Sequence, residues 1–156
     1  MNEQATWKAV TVDEVEFRVL GIPAPQGSKT VIRGVAVEGS SKTGRAKLKS
    51  WRADVTEAAA AIRETRDGPL DGALAMSIEF RLPMPASRPQ KIQKLRRVPH
   101  TVKPDLSKLT RSTEDAMVVA GLIKDDARIS MAWTSKIEVA GGEWTGAEIR
   151  VWERRP

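Results

Sequence analysis

Three aspartates in the last third of this sequence have the chemistry to hold a hard metal ion. Asp105 follows a lysine and a proline, and Asp125 and Asp126 are adjacent later in the chain. Carboxylate oxygens are the ligands that Mg²⁺ prefers, and the bound ion commonly keeps several waters. A metal ion held on a phosphate backbone can activate water for hydrolysis. These residues therefore predict a metal site for Mg²⁺, with Mn²⁺ as the alternative ion.

Each of these aspartates also has an ordinary structural interpretation. Asp105 precedes a helical pattern, where aspartate is a good N-cap residue. Asp125 and Asp126 precede an apolar run, where two polar residues can form a simple turn between a helix and a strand. The residue types leave both interpretations open. The metal site is favoured by the combination of carboxylates in two loops of a strongly basic chain.

A predicted helix separates the two groups of aspartates. Small and apolar residues recur on one helical face, at Leu106, Leu109, Thr113, Ala116, Met117 and Ala120. Gly121 is suited to end this helix, since glycine adopts the left-handed conformation that follows many helices. Residues 129–139 then predict a strand. The acids are thus placed before the helix and in the turn after it.

Composition limits the classes of function. The formal net charge is +6 and the isoelectric point about 9.9, which favours a polyanionic partner, nucleic acid rather than membrane. The chain has no cysteine, no tyrosine and one histidine, His100, which excludes disulfides, a zinc site of His and Cys ligands, and a tyrosine nucleophile. Residues 1–7 are polar and do not resemble a signal peptide, so we expect a cytoplasmic protein.

The remaining pattern predicts one α+β domain of 156 residues. The predicted elements are a strand at 15–20, a short strand or hairpin at 31–37, a helix at 48–66, a strand at 73–82, the helix after Asp105, and strands at 129–139 and 147–152. The order β-β-α-β-α-β-β suits a mixed sheet with two main helices packed on one face. Loose tails are expected at 1–13 and 153–156.

Three loops carry candidate DNA contacts. Residues 21–29 contain two prolines and two glycines, and form either a plain connector or a loop that lays Ser28 and Lys29 against phosphate. Residues 38–47 predict either mobile chain or a DNA-contacting flap. Residues 83–99 are proline-rich and strongly basic, and predict a solvated arm that holds phosphates without reading sequence. The candidates in the flap and the arm are Lys42, Arg45, Lys91, Lys94, Arg96 and Arg97.

Two motifs resemble the RusA family of Holliday junction resolvases from bacteria and their phages. The family pattern is roughly K-P-D-x-D-N-L-x-K, then D-A-L, a glycine and D-D-x-x-[IV]. This sequence matches it at Lys103-Pro104-Asp105, Leu109, Asp115-Ala116-Met117, Gly121 and 125–129. Residues 21–29 also resemble the family's opening G-x-P-x-P-Q-G-S-K.

The resemblance implies a metal-dependent endodeoxyribonuclease that acts as a homodimer on four-way or branched DNA in recombination and repair, in a bacterial or phage-infected cell. It places Asp105 and Asp126 at catalytic metal positions, and Arg111 where the family has a catalytic lysine. It also favours a phosphate-binding role for residues 21–29. Lys103 and Lys136 match family lysines and are further candidates for DNA contact.

The sequence departs from the family pattern inside the predicted site. Ser107 replaces the second metal-site aspartate, Lys108 replaces an asparagine, and a hydroxyl is only a weak neutral ligand for Mg²⁺. Arg111 keeps its charge but cannot give up a proton as lysine can. Glu114 or Asp115 could supply the missing carboxylate, although Asp115 could instead pair with Arg111.

The departures leave three functions to weigh. The first is a nuclease with Asp105, Ser107, Arg111 and Asp126 in its active site. The second is a catalytically weakened or inactive relative that binds branched DNA. The third is a basic interaction module for another acidic partner, in which the acids are only caps and turns.

Overall fold

A computed structural model describes residues 10–27, 29–32, 35–38 and 41–155. The elements in chain order are β1 (Val10–Leu20), β2 (Lys29–Ile32), β3 (Val35–Glu38), α1 (Lys42–Glu64), β4 (Ala73–Pro83), α2 (Gln90–Gln93), β5 (Arg97–Pro99), α3 (Leu106–Val119), a 3₁₀ turn (Asp126–Arg128), β6 (Ile129–Val139) and β7 (Gly146–Arg155). In these ranges no helix combines the length and apolar character needed to cross a membrane.

Five strands form one mixed sheet in the order β1-β7-β4-β6-β5. The β4–β6 pair is parallel, and the other neighbouring pairs are antiparallel. β2 and β3 form a separate antiparallel hairpin. The predicted α+β class, the mixed sheet and the two main helices are therefore confirmed.

The core lies between one face of this sheet and the helices α1 and α3. Alternate residues of β4 point into it, as the period of a strand requires, and these are Leu74, Met76, Ile78, Phe80 and Leu82. Trp51 of α1 and Met117 of α3 are also fully buried. The indole of Trp51 donates a hydrogen bond of 3.1 Å to Thr113 Oγ1, which joins the two helices. Burial of each large apolar side chain contributes about 1.5–3 kcal/mol.

The prediction of loose tails was wrong for the residues that the structure describes there. Residues 10–13 belong to β1 and residues 153–155 to β7. The two strands pair from Val10 with Arg155 to Leu20 with Gly146. Residues 10–20 and 146–155 therefore supply each other with backbone partners, which no local pattern signals.

Two predicted loops contain regular structure. α1 begins at Lys42, because the Ser41 side chain caps it by accepting a 3.1 Å hydrogen bond from the Gly44 amide. Lys42 and Arg45 are therefore helical, and the predicted flap at 38–47 is wrong for its residues from Lys42 onward. The predicted arm at 83–99 contains α2 and β5. Arg88 fixes it by donating hydrogen bonds of 2.6 and 3.0 Å to Glu138 on β6.

Candidate active site

Asp105 lies at the N-terminal end of α3 with its carboxylate available. It occupies the N-cap position in an extended backbone conformation, but its side chain makes no capping hydrogen bond. Its side chain is 54% exposed, and the ammonium of Lys108 lies 3.5 Å from Oδ2. The ordinary capping interpretation therefore does not describe this side chain.

The loop after β1 packs against the same end of α3. The amide of Gln26 donates a 3.1 Å hydrogen bond to the carbonyl of Lys108. The hydroxyl of Ser112 donates one of 2.7 Å to the carbonyl of Ala24. These bonds bring together two motifs that lie far apart in the sequence.

A cleft of about 290 Å³ lies at this contact. It is lined by Pro25, Lys103, Pro104, Asp105 and Lys108. A carboxylate and two cations thus surround one opening. Ser28 lies outside the described residues, and Lys29 begins β2, where its side chain is likewise outside the description.

One side of α3 continues from this cleft toward the 3₁₀ turn. Ser107, Arg111 and Glu114 are spaced by four and then three residues, so they share a helical side. Glu114 is partly buried, and its pKa is raised to about 7. Burial is the largest cause, the negative charges of Asp126 and Asp115 add to it, and the positive charge of Arg111 opposes the shift. Glu114 and Asp126 are therefore close enough to repel each other.

The two adjacent aspartates have different environments. Asp125 Oδ1 accepts a 2.8 Å hydrogen bond from the Ala127 amide and so caps the 3₁₀ turn. That bond is the main reason that the pKa of Asp125 is lowered, with a second contribution from a hydrogen bond with Asp126. Asp126 is exposed. The turn interpretation thus accounts for one oxygen of Asp125, and Asp126 is the more available ligand.

The predicted ligands do not gather into one three-carboxylate cage. The part of the chain that the structure describes contains no group of three or more acidic, histidine or cysteine side chains that could hold a metal ion. Asp105 and Glu114 are nine residues apart, which is about 13 Å along the axis of α3. Mg²⁺ can, however, be bound by one or two carboxylates with waters and substrate phosphates. Asp105, and Asp126 with Glu114, each fit that requirement.

Asp115 is occupied by a residue of the other long helix. Its carboxylate lies 3.6 Å from the guanidinium of Arg52 on α1. The ordinary pair with Arg111, which the sequence left open for Asp115, is not the one that forms. Glu114 is thus the more available substitute for the carboxylate missing at position 107.

A basic stripe on α1 reaches this ion pair, and the sequence analysis missed it. We define it as Arg45, Lys49 and Arg52, which are spaced by four and three residues and line one shallow depression together with Leu48. The signal was present as helical spacing. It was overlooked because residues up to 47 were interpreted as a loop.

The other predicted DNA contacts fall into two groups. Lys42, Lys91, Lys94 and Lys103 are exposed. Arg96 and Arg97 approach Glu143, with their nearest nitrogens 2.7 and 3.9 Å from its carboxylate.

Lys136 lies inside the fold more than expected. Its ammonium donates hydrogen bonds to the carbonyls of Val102 at 2.6 Å and Pro104 at 2.7 Å. These bonds hold the segment before Asp105. A direct contact of Lys136 with DNA stays a prediction.

Exposed cations and a cleft with a carboxylate at the N-terminal end of α3 are features of a protein that binds a phosphodiester backbone. A family model described as Endodeoxyribonuclease RusA matches residues 24–152, and the chain belongs to this family. Members of the family are endodeoxyribonucleases, a class of hydrolase, and the family implies Holliday junction resolution. No curated protein matches the chain. The predicted family is confirmed, whereas the roles of individual residues stay predictions.

Proposed function

We propose that this chain is a Mg²⁺-dependent, structure-selective endodeoxyribonuclease that cuts four-way or branched DNA during recombination and repair in the cytoplasm. One observation supports this proposal above the others. The loop at 23–26 and the segment of Asp105 meet in one cleft of about 290 Å³, in a chain of the RusA family. A basic interaction module without a nuclease site has no need for this convergence.

The residues have separate roles in this proposal. Asp105 and Asp126, at their separate positions, each bind a divalent ion, with Asp125 beside Asp126 and Mn²⁺ as an alternative ion. When bound, the ion supplies a polarised water and charge stabilisation at the scissile phosphate. Arg111 neutralises a phosphate oxygen, because its guanidinium stays charged and presents several donors. Lys103 at the rim of the cleft orients the backbone of the DNA.

Glu114 provides the negative charge that Ser107 lacks. The two positions are seven residues apart and therefore lie on the same side of α3, two turns apart. Glu114 makes no hydrogen bond or ion pair among the described residues, and its interaction with Asp126 is repulsive. A divalent cation between two such carboxylates relieves that repulsion.

A second candidate function has its own support. The ammonium of Lys108 lies 3.5 Å from Asp105, so a positive charge stands near the carboxylate that the ion requires. Together with Ser107, this makes the site more positive than the family pattern by two charges. A weakened or inactive relative that still binds branched DNA would have these features.

DNA would approach the edge that carries the cleft and the basic stripe of α1. Lys42 and Arg45 lie in the first turn of α1, where cations are unfavourable for the helix dipole, and that turn contains no acidic residue. A phosphate bound there would remove this disadvantage. Lys91 and Lys94 extend the positive surface, and Ser28 and Lys29 complete the predicted contacts.

A homodimer would form through the sheet face opposite the helices. Trp133 is 54% exposed there and stacks on Trp152, with ring centroids 5.8 Å apart, and Met131 lies beside them. Glutamates and arginines neighbour each other on this face, including Arg18 with Glu148 at 2.7 Å and Arg150 with Glu14. Two chains of net charge +6 repel each other, so a face with balanced charge is where copies can meet.

Cleavage of a synthetic four-way junction in Mg²⁺ and in Mn²⁺ tests the nuclease proposal. The variants are Asp126→Asn, Ser107→Asp and, as a matched control, Asp67→Asn, which changes an exposed carboxylate after α1. Cleavage by the wild type and the control but not by Asp126→Asn would support the nuclease. Cleavage by Ser107→Asp alone would instead support the weakened relative, and junction binding without cleavage by any variant would count against the site.

A further inference from the structure

His100, the only histidine of the chain, lies immediately after β5 and is hydrogen-bonded through both ring nitrogens. It is 8% exposed. Nδ1 lies 2.9 Å from Oε2 of Glu138, and Nε2 lies 2.8 Å from the carbonyl oxygen of Lys103. Both distances are those of good hydrogen bonds.

Both partners of the ring are acceptors. A carbonyl oxygen can only accept, and Glu138 could donate only if it were protonated. Arg88 donates to both oxygens of Glu138, at 2.6 and 3.0 Å, and this is the main reason that the pKa of Glu138 is lowered. Glu138 is therefore ionised, and each ring nitrogen must carry a hydrogen to satisfy its partner.

The charged groups around the ring come from three segments. Glu138 and Lys136 lie on β6, Arg88 lies before α2, and Lys103 follows on the ring's own segment. The carbonyl of Lys136 accepts a 3.2 Å hydrogen bond from the His100 amide. Glu138 is thus one anion among several nearby cations, and charge alone does not explain the state of the ring. The ring carries two protons because an acceptor faces each of its nitrogens.

Three consecutive carbonyls before Asp105 are held by two cationic side chains. Lys136 Nζ donates to Val102 and Pro104, while His100 Nε2 donates to the intervening Lys103. The backbone that leads into α3 is therefore fixed at each residue from Val102 to Pro104. The next residue is Asp105.

We propose that His100, as an imidazolium and together with Lys136, is a positioning residue for Asp105. It rests on the proposed function, because Asp105 matters for cleavage only if it serves the active site. His100 does not face the cleft and does not touch substrate. It acts on the reaction by fixing the backbone that carries the carboxylate, and small misplacements of such groups lower rates by large factors.

The first test is the protonation state of the ring in the full chain. With one histidine, NMR of ¹⁵N-labelled imidazole gives one unambiguous pair of ring nitrogen signals. We expect both ring nitrogens to carry protons, because each faces an acceptor, and a neutral ring in Glu138→Gln. A neutral ring in the wild type would overturn the proposal, and no variant is needed for that result.

The second test asks whether the ring positions the start of α3. In His100→Gln, whose single amide nitrogen cannot replace both ring nitrogens, amide hydrogen exchange at residues 105–109 should be at least about tenfold faster. Lys124→Gln, which removes an exposed cation elsewhere, is the matched control. Unchanged exchange at 105–109 in folded His100→Gln would overturn the positioning role whether or not the wild type cuts DNA.

Cleavage separates this proposal from the proposed function. We expect His100→Gln to cut four-way junctions on the order of tenfold more slowly, with junction affinity changed less than about twofold. A protonated ring and altered exchange in a protein that never cuts would refute the nuclease and retain the positioning of Asp105. Cleavage at the wild-type rate by His100→Gln would retain the nuclease and refute the positioning role.

Discussion

The ammonium of Lys108 lies 3.5 Å from the carboxylate of Asp105, one turn along α3. Both groups line the cleft where the loop after β1 meets this helix. The family pattern has an asparagine at the position of Lys108 and an aspartate at the position of Ser107. The two departures therefore act in the same direction, since one adds a positive charge and the other omits a negative one.

Reversing both departures should increase metal-dependent cleavage. In Ser107→Asp/Lys108→Asn, we expect half-maximal cleavage at a Mg²⁺ concentration on the order of tenfold lower, because two unit charges near the ion become more favourable. Titration of junction cleavage with Mg²⁺ measures this. Ser87→Asp, an exposed serine after β4, controls for added charge alone. Equal Mg²⁺ requirements for the double variant and the wild type would contradict the assigned ion position.

The raised pKa of Glu114 predicts a pH-dependent stability. Its pKa is about 7 in the folded chain against an ordinary value of 4.5, so the folded state binds more protons between these values. Stability should therefore decline as pH rises from about 4.5 to 7 and then level off. Glu114→Gln should be more stable than the wild type by about 1–2 kcal/mol at pH 8, allowing for solvent screening, and similar at pH 4.5. Urea unfolding at the two pH values measures this, with Glu64→Gln as an exposed control.

Loss of the hydrogen bond between Trp51 and Thr113 should lower the stability of the folded protein. Thr113→Val keeps the shape of the side chain and leaves the buried indole N–H without an acceptor. The free energy of unfolding should fall by about 1–3 kcal/mol. Thr110→Val is the matched control on α3, because the Thr110 hydroxyl bonds only the carbonyl of Leu106 within its own helix. Equal losses for the two variants in urea unfolding would count against the importance of the buried bond.

The exposed tryptophan of the sheet predicts an effect on assembly. Trp133→Glu should raise the dissociation constant of a homodimer by at least about tenfold, since it removes an aromatic contact and adds a charge. Sedimentation equilibrium over a range of concentrations measures this. Val119→Glu introduces the same charge at an exposed apolar residue on α3. A wild type that stays monomeric at high concentration would refute the proposed dimer.

The basic stripe of α1 predicts a salt-dependent contribution to DNA binding. Lys49→Gln should weaken junction and duplex binding to a similar extent and reduce the slope of log affinity against log salt by about 1. Lys124→Gln removes a cation near Asp71 and should leave the slope unchanged. A changed preference for junctions in Lys49→Gln, at an unchanged slope, would contradict simple phosphate contact.

Local patterns predicted the elements that position the site, and long-range contacts determined the rest. The alternation of β4 and the helical period from Leu106 onward were both readable because each element buries one face. The structure of the basic segment before β5 was not predictable from local sequence, because it depends on the hydrogen bond from Arg88 to Glu138, fifty residues later. Lys136 was predicted as a DNA contact because it matches a family lysine, but its partners are backbone carbonyls that only the fold brings near.

The candidate site was predicted in the same uneven way. The motifs placed Asp105 and Asp126 in two loops, and in the structure Asp105 lies at the N-cap position of α3 whereas Asp126 begins the 3₁₀ turn. The proximity of Glu114 to Asp126 and the pairing of Asp115 with Arg52 depend on how α3 packs against its neighbours. The sequence alone suggested these partners but could not decide which of them pair.

The position of β7 in the sheet sets the order in which the protein can be completed. This strand comes after every other described strand in the chain, yet it lies between β1 and β4. While residues 146–155 are still within the ribosome, β1 has no neighbour in the main sheet and β4 exposes an unpaired edge. Until residues 146–155 emerge, the nascent chain therefore leaves open the two edges that β7 pairs, and their emergence allows both edges to close.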